Sequence, residues 1–390
     1  MSKNNIYNPP NCLKFSGYKP CAPYKICEEC NEPVPVKEYI LLISLEAQGA
    51  VLMSTSLLNA IKNRYPGCYL TWLTRQEATP ILENNPLIDR VLPWNDENRM
   101  LLGQIEFDIS ISLDKSYYTG AFANTLKAEK KHGFGLSSQG AVIPLNNGAL
   151  YNYRLGLSDS MKFHENKRTV VDILHETIEL PNGGGKYVLN LSPEEISYKN
   201  AWAEKAGLSK DDVVIGINTG CSNLFPNKKM TIDQHVTLIK MLYAHNPEAR
   251  IILLGGREDA GRNIEIQKLC GDQIINTPTT EGLRRGIMYV DIADIVISGD
   301  SIGMHLAIGL GKYVVVWFGL SCSEEIELFG RGEKILSGVS CEPCWKKSCD
   351  DLKCLRELSL DKICDSVIRG IEVIKAEKTG PKVHSPIDKS

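Results

Sequence analysis

The stretch Asp294-Ile-Val-Ile-Ser-Gly-Asp-Ser-Ile-Gly-Met-His-Leu-Ala-Ile-Gly-Leu-Gly-Lys-Tyr-Val-Val-Val-Trp-Phe-Gly319 decides the fold. Its β-branched run Ile295–Ile297 is typical of a strand buried on both faces of a parallel sheet. A polar turn leads into a short apolar helix, which Gly311 ends. Val314–Trp317 then reads as the next strand, so the stretch predicts a strand–helix–strand unit.

Asp300, Ser301 and His305 lie where that first strand gives way to the helix. Either Asp300 or Ser301 is placed to cap the helix. Ligands of open α/β sheets bind outside the carboxyl ends of strands, where helices begin with free amide groups. These three residues therefore mark a candidate binding site.

The same pattern occurs twice more in the second half of the chain. Val213–Asn218 runs into the small-residue loop 219–222, and Ile251–Leu254 runs into the Gly-rich turn 255–258. The three turns should meet at one edge of a sheet, where amides, hydroxyls and a lysine can hold a diphosphate. None is a P-loop, because the chain contains no Gly-x4-Gly-Lys-Ser/Thr.

The first half also alternates strands with helices, which implies right-handed βαβ units in a parallel sheet. The predicted strands are Tyr39–Leu45, Tyr69–Thr74, Val91–Pro93 and Asp108–Leu113, with a helix over Val51–Tyr65. The Gly-rich break Pro181–Gly185 separates this half from the next. We predict a cysteine-rich segment at 1–37, an N-terminal domain at 38–185, a C-terminal domain at 186–375 and a polar tail at 376–390.

Composition narrows the functional classes. The chain has 390 residues and a formal net charge of −3, which gives no electrostatic case for nucleic-acid binding. The polar N-terminus does not read as a secretory signal, and no apolar run approaches the roughly 20 residues of a membrane span. We therefore expect a cytoplasmic protein of two domains.

Eight of the thirteen cysteines fall in two clusters. In a reducing cytosol, clustered cysteines more often hold metal than form disulfides. Each cluster has enough thiols for one tetrahedral site, with zinc favoured over an iron–sulfur cluster, and incidental or packing thiols are the alternative. The clusters are Cys12, Cys21, Cys27 and Cys30, and Cys341, Cys344, Cys349 and Cys354. The five scattered cysteines are expected to be small packing residues.

The order of motifs over roughly residues 38–370 resembles glycosyltransferase family 9, the ADP-heptose:lipopolysaccharide heptosyltransferases. The resemblance implies a GT-B fold of two Rossmann-like domains facing a cleft, with the nucleotide sugar on the C-terminal domain and the acceptor on the N-terminal one. The motifs are Ile40-Leu-Leu-Ile-Ser-Leu45, Gly49-Ala-Val-Leu-Met-Ser-Thr-Ser-Leu-Leu58, Tyr69-Leu-Thr-Trp-Leu-Thr-Arg75, Asn84-Asn-Pro86, Gly216-Ile-Asn-Thr-Gly220, Leu253-Leu-Gly-Gly256, Asp300-Ser-Ile-Gly-Met-His305 and Phe318-Gly319.

By position, the resemblance implies that two segments hold the donor. Loop residues near the diphosphate and sugar would be Asp300, Ser301, Gly303 and His305, and residues near the phosphates would be Thr219, Ser222 and Lys228. Lys228 is also expected to assist catalysis, because a departing nucleoside diphosphate needs its developing charge offset. The structural alternatives are a core histidine at His305 and a solvated surface charge at Lys228.

The chain departs from the family at two places. The family usually has Gly-Asp after the first strand, where the aspartate is the presumed base, and this chain has Gly49-Ala50. An alanine cannot take a proton, so we predict that Glu46 replaces it, with Asp114 second. The alternative for Glu46 is a solvated loop carboxylate. In the donor loop, relatives commonly show Asp-Ser/Thr-Gly-Pro, and the glycine here is moved one place.

The predicted function is transfer of heptose or a similar sugar from a nucleotide-diphosphate sugar, such as ADP-heptose, to a lipopolysaccharide-type or other cell-envelope glycan. The predicted mechanism is direct displacement with inversion, without a catalytic cofactor. A lapsed sugar-nucleotide-binding protein and another GT-B enzyme, such as an epimerase, are the alternatives. Peripheral contact with the inner face of the cytoplasmic membrane stays open, with a solvated helix end as the alternative for the basic run Lys127, Lys130, Lys131 and His132.

Overall fold

The computed structural model describes residues 9–15, 17–222 and 224–379. The other residues lie outside the described part of the chain, including residues 1–8 of the predicted cysteine-rich segment and 380–390 of the predicted polar tail. Contacts divide the chain into two compact units, Met1–Val188 and Leu189–Ser390. Each unit is built around one mainly parallel sheet, which confirms the predicted α/β class.

The sheet of the first unit contains six strands. They are β1 (Tyr39–Ile43), β2 (Tyr69–Thr74), β3 (Arg90–Pro93), β4 (Glu106–Ser112), β5 (Lys127–Leu136) and β6 (Val142–Pro144). Their order is β3-β2-β1-β4-β5-β6, and only the β5–β6 pair is antiparallel. Because β1 lies between β2 and β4, its carboxyl end is flanked by the loops of two neighbours.

The sheet of the second unit also contains six strands, and its paired strands are all parallel. They are β7 (Val214–Asn218), β8 (Arg250–Leu254), β9 (Ile275–Asn276), β10 (Ile295–Gly299), β11 (Tyr313–Phe318) and β12 (Gly332–Leu336). The order β12-β11-β10-β7-β8-β9 makes β10, β7 and β8 consecutive. The loops after these three strands are therefore adjacent at the carboxyl edge.

Helices connect the strands. The first unit contains α1 (Gln48–Ser54), α2 (Leu58–Arg64), α3 (Thr79–Leu82), α4 (Asp96–Leu102), α5 (Tyr117–Thr125), α6 (Leu150–Leu157) and α7 (Val170–Thr177). The second contains α8 (Pro193–Lys205), α9 (Ile232–His245), α10 (Ala260–Cys270), α11 (Leu283–Ile292), α12 (Ile302–Gly309), α13 (Lys353–Arg356) and α14 (Leu360–Thr379). The apolar face of α14, which includes Val367 and Ile371, packs in the core of the second unit.

The helix predicted over Val51–Tyr65 is divided into α1, a 3-10 turn and α2. Three consecutive hydroxyls cause the division. Ser54 donates to the carbonyl of Ala50, Thr55 to that of Leu52 and Ser56 to that of Met53. Such side-chain bonds compete with the backbone ladder and bend helices.

The basic run 127–132 is part of strand β5, so the alternative of a solvated helix end is wrong. Lys131 turns back and donates to the carbonyl of Ala123 in the last turns of α5, at 3.1 Å. Burial lowers the pKa of His132 despite the nearby Glu179. Lys131 and His132 therefore pack within the first unit, whereas Lys127 and Lys130 are exposed.

Candidate functional site

The candidate site of the second unit is built from the loops after β7, β8 and β10. Asn218, the last residue of β7, links two of these loops. Its side-chain amide lies 3.0 Å from the hydroxyls of Ser298 and Ser301 and 2.9 Å from the carbonyl of Gly220. A Cβ on Gly303 would lie 2.6 Å from the Asn218 Cγ, so this close approach requires glycine.

Ser301 occupies the N-cap position of α12, as predicted, but its side chain does not cap the helix. Its hydroxyl lies instead beside Asn218 and Ser298. Asp300 does not cap the helix either, because its carboxylate pairs with Lys228. The predicted capping role is therefore wrong for both residues.

Lys228 and Asp300 form the central ion pair of this site. The distance from Lys228 Nζ to Asp300 Oδ2 is 2.5 Å, and the two side chains are only 12% and 13% exposed. Burial acts to raise the pKa of Asp300, but Lys228 and His305 outweigh it, so the pKa lies below its ordinary value. Burial lowers the pKa of His305 to about 4, so its imidazole is neutral at pH 7.

Two aromatic rings enclose the ammonium of Lys228. It lies 4.7 Å from the ring centre of Trp345 and 5.4 Å from that of Phe225, within the range of cation–π attraction. Trp345 is held by its backbone N–H, which donates to Leu320, and by its indole N–H, which donates to the Cys322 sulfur. Sequence reasoning missed Trp345, whose position between two cysteines of the C-terminal cluster was the available signal.

Thr219 and Ser222 do not join the ion pair. Thr219 is buried, and its hydroxyl lies 2.5 Å from the Asn263 side-chain oxygen and 3.3 Å from the Leu254 carbonyl. Ser222 is exposed, and its hydroxyl accepts the N–H of Leu224. Thr219 therefore fixes the contact between the loops after β7 and β8, whereas Ser222 shapes its own turn.

A second ion pair lies between those two loops, and sequence reasoning missed it. Lys229 Nζ is 3.0 Å from Asp259 Oδ1, and the Asp259 side chain is 3% exposed. Asp259 also accepts the N–H of Gly256. A Cβ on Gly220 would overlap Asp259 Oδ2, so this loop passes directly over the carboxylate. The signal was the lysine pair 228–229 ahead of an acidic turn.

In the first unit, Glu46 and Asp114 follow the neighbouring strands β1 and β4. Asp114 is buried, and its Oδ2 accepts the backbone N–H of Leu45 at 2.6 Å. Burial, reinforced by the nearby Glu46, raises the pKa of Asp114 to about 7. Glu46 is exposed and accepts a hydrogen bond from the Tyr118 hydroxyl at 3.1 Å. The structure therefore brings both candidate carboxylates together.

Arg75 also lies near the carboxylates of Glu46 and Asp114. It donates to the carbonyl of Leu45 at 3.1 Å and lies over the ring of Tyr118 at 5.2 Å. Ala50 lies in the first turn of α1 and contributes no titratable group. A carboxyl with a pKa near 7 beside an exposed carboxylate is suited to proton abstraction.

The four N-terminal cysteines line one pocket. In the C-terminal cluster, Cys354 is on α13, while Cys341, Cys344 and Cys349 lie in the preceding loop. Within 9–15, 17–222 and 224–379, no group of three or more His, Cys, Asp or Glu residues is already arranged to hold a metal ion. In the same ranges, no helix is both long and apolar enough to cross a membrane.

The scattered cysteines pack within the two units, as predicted. Cys68, Cys221, Cys322 and Cys364 are buried, and Cys270 is half-buried.

Comparisons with known proteins identify a family and relatives that this chain resembles. Residues 99–355 match the family described as glycosyltransferase family 9 (heptosyltransferase). Lipopolysaccharide heptosyltransferase 1 of Campylobacter coli is 25% identical over 310 residues, which cover 73% of this chain and 84% of the relative.

Two solved structures share the fold. The family 9 glycosyltransferase of Veillonella parvula has a TM-score of 0.68 at 17% identity, covering 87% of this chain and 98% of its own. The ADP-heptose lipopolysaccharide heptosyltransferase II of E. coli has a TM-score of 0.65 at 18% identity, covering 87% and 100%. These likenesses confirm the predicted GT-B fold.

Proposed function

The chain belongs to glycosyltransferase family 9, and from that premise we propose that it transfers heptose or a similar sugar from a nucleotide-diphosphate sugar to a lipopolysaccharide-type acceptor. The observation that carries the proposal is the buried pair of Lys228 and Asp300 at the carboxyl edge of the second sheet. The curated relative from Campylobacter coli is a lipopolysaccharide heptosyltransferase, which supports this donor and acceptor class.

Lys228 is the group that would meet the donor's diphosphate. Its ammonium is held at one point by Asp300 and two aromatic rings, so little conformational entropy is lost when an anion binds. As the bond from the anomeric carbon to the diphosphate breaks, both electrons pass to the leaving oxygen. A fixed positive charge at that oxygen stabilises the transition state.

His305 would act as a neutral partner beside this pair. Because its pKa is about 4, it carries no charge at neutral pH and does not compete with Lys228 for the diphosphate. The backbone amides at the start of α12 lie on the same loop and supply further donors. The site therefore combines the Lys228–Asp300 ion pair with neutral hydrogen-bond donors from the loop after β10.

Glu46 would remove the proton from the acceptor hydroxyl. The hydroxyl oxygen attacks the anomeric carbon from the face opposite the diphosphate, which inverts the configuration, and its proton passes to the carboxylate. Glu46 is the exposed member of the carboxylate pair, so it is open to a substrate, while Asp114 is buried behind it. Asp114 fixes the backbone at Leu45, next to the base.

A lapsed enzyme that only binds nucleotide sugars is the second candidate, and Ala50 favours it, because the family's presumed base is absent there. The two candidates share donor binding and differ in turnover. Only the transferase requires a proton acceptor in the first unit.

The test begins with thermal stabilisation of the protein by a panel of nucleotides and nucleotide sugars, since ligands that bind only the native state raise the melting temperature. Each stabilising donor is then incubated with envelope glycolipid, and sugar transfer is followed by mass spectrometry. Transfer that requires Glu46 supports the proposal. Binding without transfer in the presence of acceptor supports the lapsed enzyme, and no binding at all contradicts the donor site.

A further inference from the structure

Four cysteines line one open pocket in the segment before β1. They are Cys12, Cys21, Cys27 and Cys30. We infer that these four thiols bind one structural zinc ion and that the metal orders residues 9–36. The site is remote in sequence from the sugar-transfer machinery, and this inference is independent of the proposed function.

The segment has no apolar core of its own. None of the described residues between 9 and 35 is buried. Several of its large apolar side chains face solvent, with Tyr18 88% exposed and Ile26 56% exposed. A peptide of this length that buries no side chain needs a cross-link or a metal to hold one conformation.

Backbone contacts nevertheless hold the segment in a defined place. The side-chain amide of Asn11 exchanges two hydrogen bonds with the backbone of Val36, at 3.0 and 3.2 Å. Leu13 N donates to the carbonyl of Val34 at 2.7 Å. These contacts close the chain into a loop, and the four thiols lie on that loop.

Cys12 receives the hydrogen bond that a metal-bound sulfur needs. The backbone N–H of Val34 donates to its Sγ at 3.4 Å. Groups that ligate metals are commonly held by such outer hydrogen bonds, which fix the direction of the ligand. Val34 lies 22 positions further along the chain, so the bond joins the two ends of the loop.

The pocket is also lined by two positively charged side chains, which a four-thiolate centre requires. A divalent ion bound by four thiolates has a net charge of −2, because each thiol releases its proton to solvent as its sulfur binds. Lys14 and Lys25 line the same pocket. Two ammonium groups beside the sulfurs would balance that charge.

The sulfurs surround the pocket without converging on one point, since no three potential ligands of the described residues are in a metal-holding arrangement. Binding must therefore turn the thiols inward and tighten the loop. Coupling between metal binding and local folding is usual for small zinc sites. Four sulfur donors select zinc or iron among the common metals, and zinc is the closed tetrahedral choice.

The experiment measures zinc bound per chain by elemental mass spectrometry in the full-length protein, purified under reducing conditions and passed through a chelating column. We compare wild type with Cys27→Ser/Cys30→Ser, with the matched pair Cys341→Ser/Cys344→Ser, and with the isolated Cys270→Ser. We expect the first pair to lose about one zinc per chain relative to wild type and Cys270→Ser to lose none. Equal zinc in wild type and Cys27→Ser/Cys30→Ser would overturn the inference.

Trypsin cleavage after Lys14 and Lys25 gives a second readout that does not depend on activity. Zinc should slow cleavage of the wild-type segment about tenfold or more, and should leave Cys27→Ser/Cys30→Ser unprotected. Equal cleavage rates with and without zinc contradict metal-coupled ordering. Iron in place of zinc, detected by elemental analysis and visible absorbance, would overturn the choice of metal, and a disulfide among these thiols would overturn the site.

Discussion

The carboxyl edges of the two sheets differ in whether their charged side chains are paired. In the second unit the charged groups are already paired, Lys228 with Asp300 and Lys229 with Asp259. In the first unit, burial raises the pKa of Asp114 to about 7, and an exposed glutamate lies next to it. A lysine held in place by its ion pair suits the binding of an anion, and a carboxyl whose pKa lies near neutrality suits the movement of a proton.

The difference also follows the sequence motifs. The second unit retains the loop motif that resembles family 9, apart from one displaced glycine, whereas the first unit has Ala50 at the place of the family's aspartate. The comparison therefore predicts that variants at the second edge change donor binding, and that variants at the first edge change turnover alone.

The largest effect is expected from Glu46→Gln. Loss of a general base lowers the rate of transfer by about 10²- to 10⁴-fold, while the donor still stabilises the protein. Turnover and donor-induced melting shifts are measured on the same preparations, with the exposed Glu77→Gln as the matched control. If Glu46→Gln keeps wild-type turnover and Asp114→Asn loses it, Asp114 is the base.

Lys228→Ala tests the carboxyl edge of the sheet in the second unit. We expect transfer to fall about 10²- to 10³-fold, because the leaving diphosphate loses its fixed positive charge. Unlike Glu46→Gln, this variant should also lose most of the donor-induced melting shift. The exposed Lys268→Ala in α10 removes a charge from the same unit and should behave as wild type. Unchanged donor binding in Lys228→Ala would contradict the assignment of donor binding to the second unit and of proton abstraction to the first.

Asp114 predicts a dependence of stability on pH. Its pKa is about 7 in the folded protein and about 4 in an unfolded chain, so the folded state holds the proton more tightly. Its contribution is fully present below about pH 4 and is lost as the pH rises to about 7, with a limiting slope of about 1.4 kcal/mol per pH unit. Asp114→Asn should flatten this slope in urea unfolding experiments.

Asp108→Asn is the matched control for that measurement. Asp108 lies on β4 and accepts the N–H of Tyr39 at 2.6 Å, just as Asp114 accepts that of Leu45. The control removes the same kind of bond from a less buried place. A slope that flattens equally in both variants would contradict the assignment to Asp114.

Trp345→Ala should have the smallest effect. Loss of one aromatic face beside Lys228 is worth about 1 kcal/mol, or about a fivefold rise in the KM for the donor with a smaller change in kcat. Trp345→Phe keeps a ring and should restore most of the loss. Trp202→Ala, which removes a tryptophan packed on Tyr289, controls for general destabilisation of the unit. An equal KM in Trp345→Ala and wild type would show that the ring does not position Lys228.

The central strands of both sheets could be predicted from sequence because they are apolar on both faces, as in Ile295–Ile297. Strands β5 and β12 could not. The basic run that begins β5 lies outside its pairing with β6, and the edge strand β12 contains Glu333 and Lys334. Such residues are tolerated where one side of a strand is unpaired, and they leave no apolar signal. The break between α1 and α2 depends on three hydroxyl bonds that the helical periodicity of the flanking leucines conceals.

For the candidate site, the sequence predicted that Lys228, Asp300 and His305 lie together, because they follow strand ends, and the structure brings them together. It could not identify Trp345, which reaches Lys228 from 117 positions away along the chain, nor the pairing of Lys229 with Asp259. Both are contacts between loops that only the order of strands brings together. The roles of Glu46 and the metal-binding roles of the cysteines stay predictions.

The contact between Asn218 and Gly303 has a consequence for protein engineering. A library that diversifies residues 301–303 to accept new donor sugars would fail at most members, because any side chain at Gly303 strikes the amide of Asn218. Position 218 must then be varied together with position 303, for instance by pairing a larger residue at 303 with Asn218→Gly. The loops after β7 and β10 must therefore be varied together when donor specificity is selected.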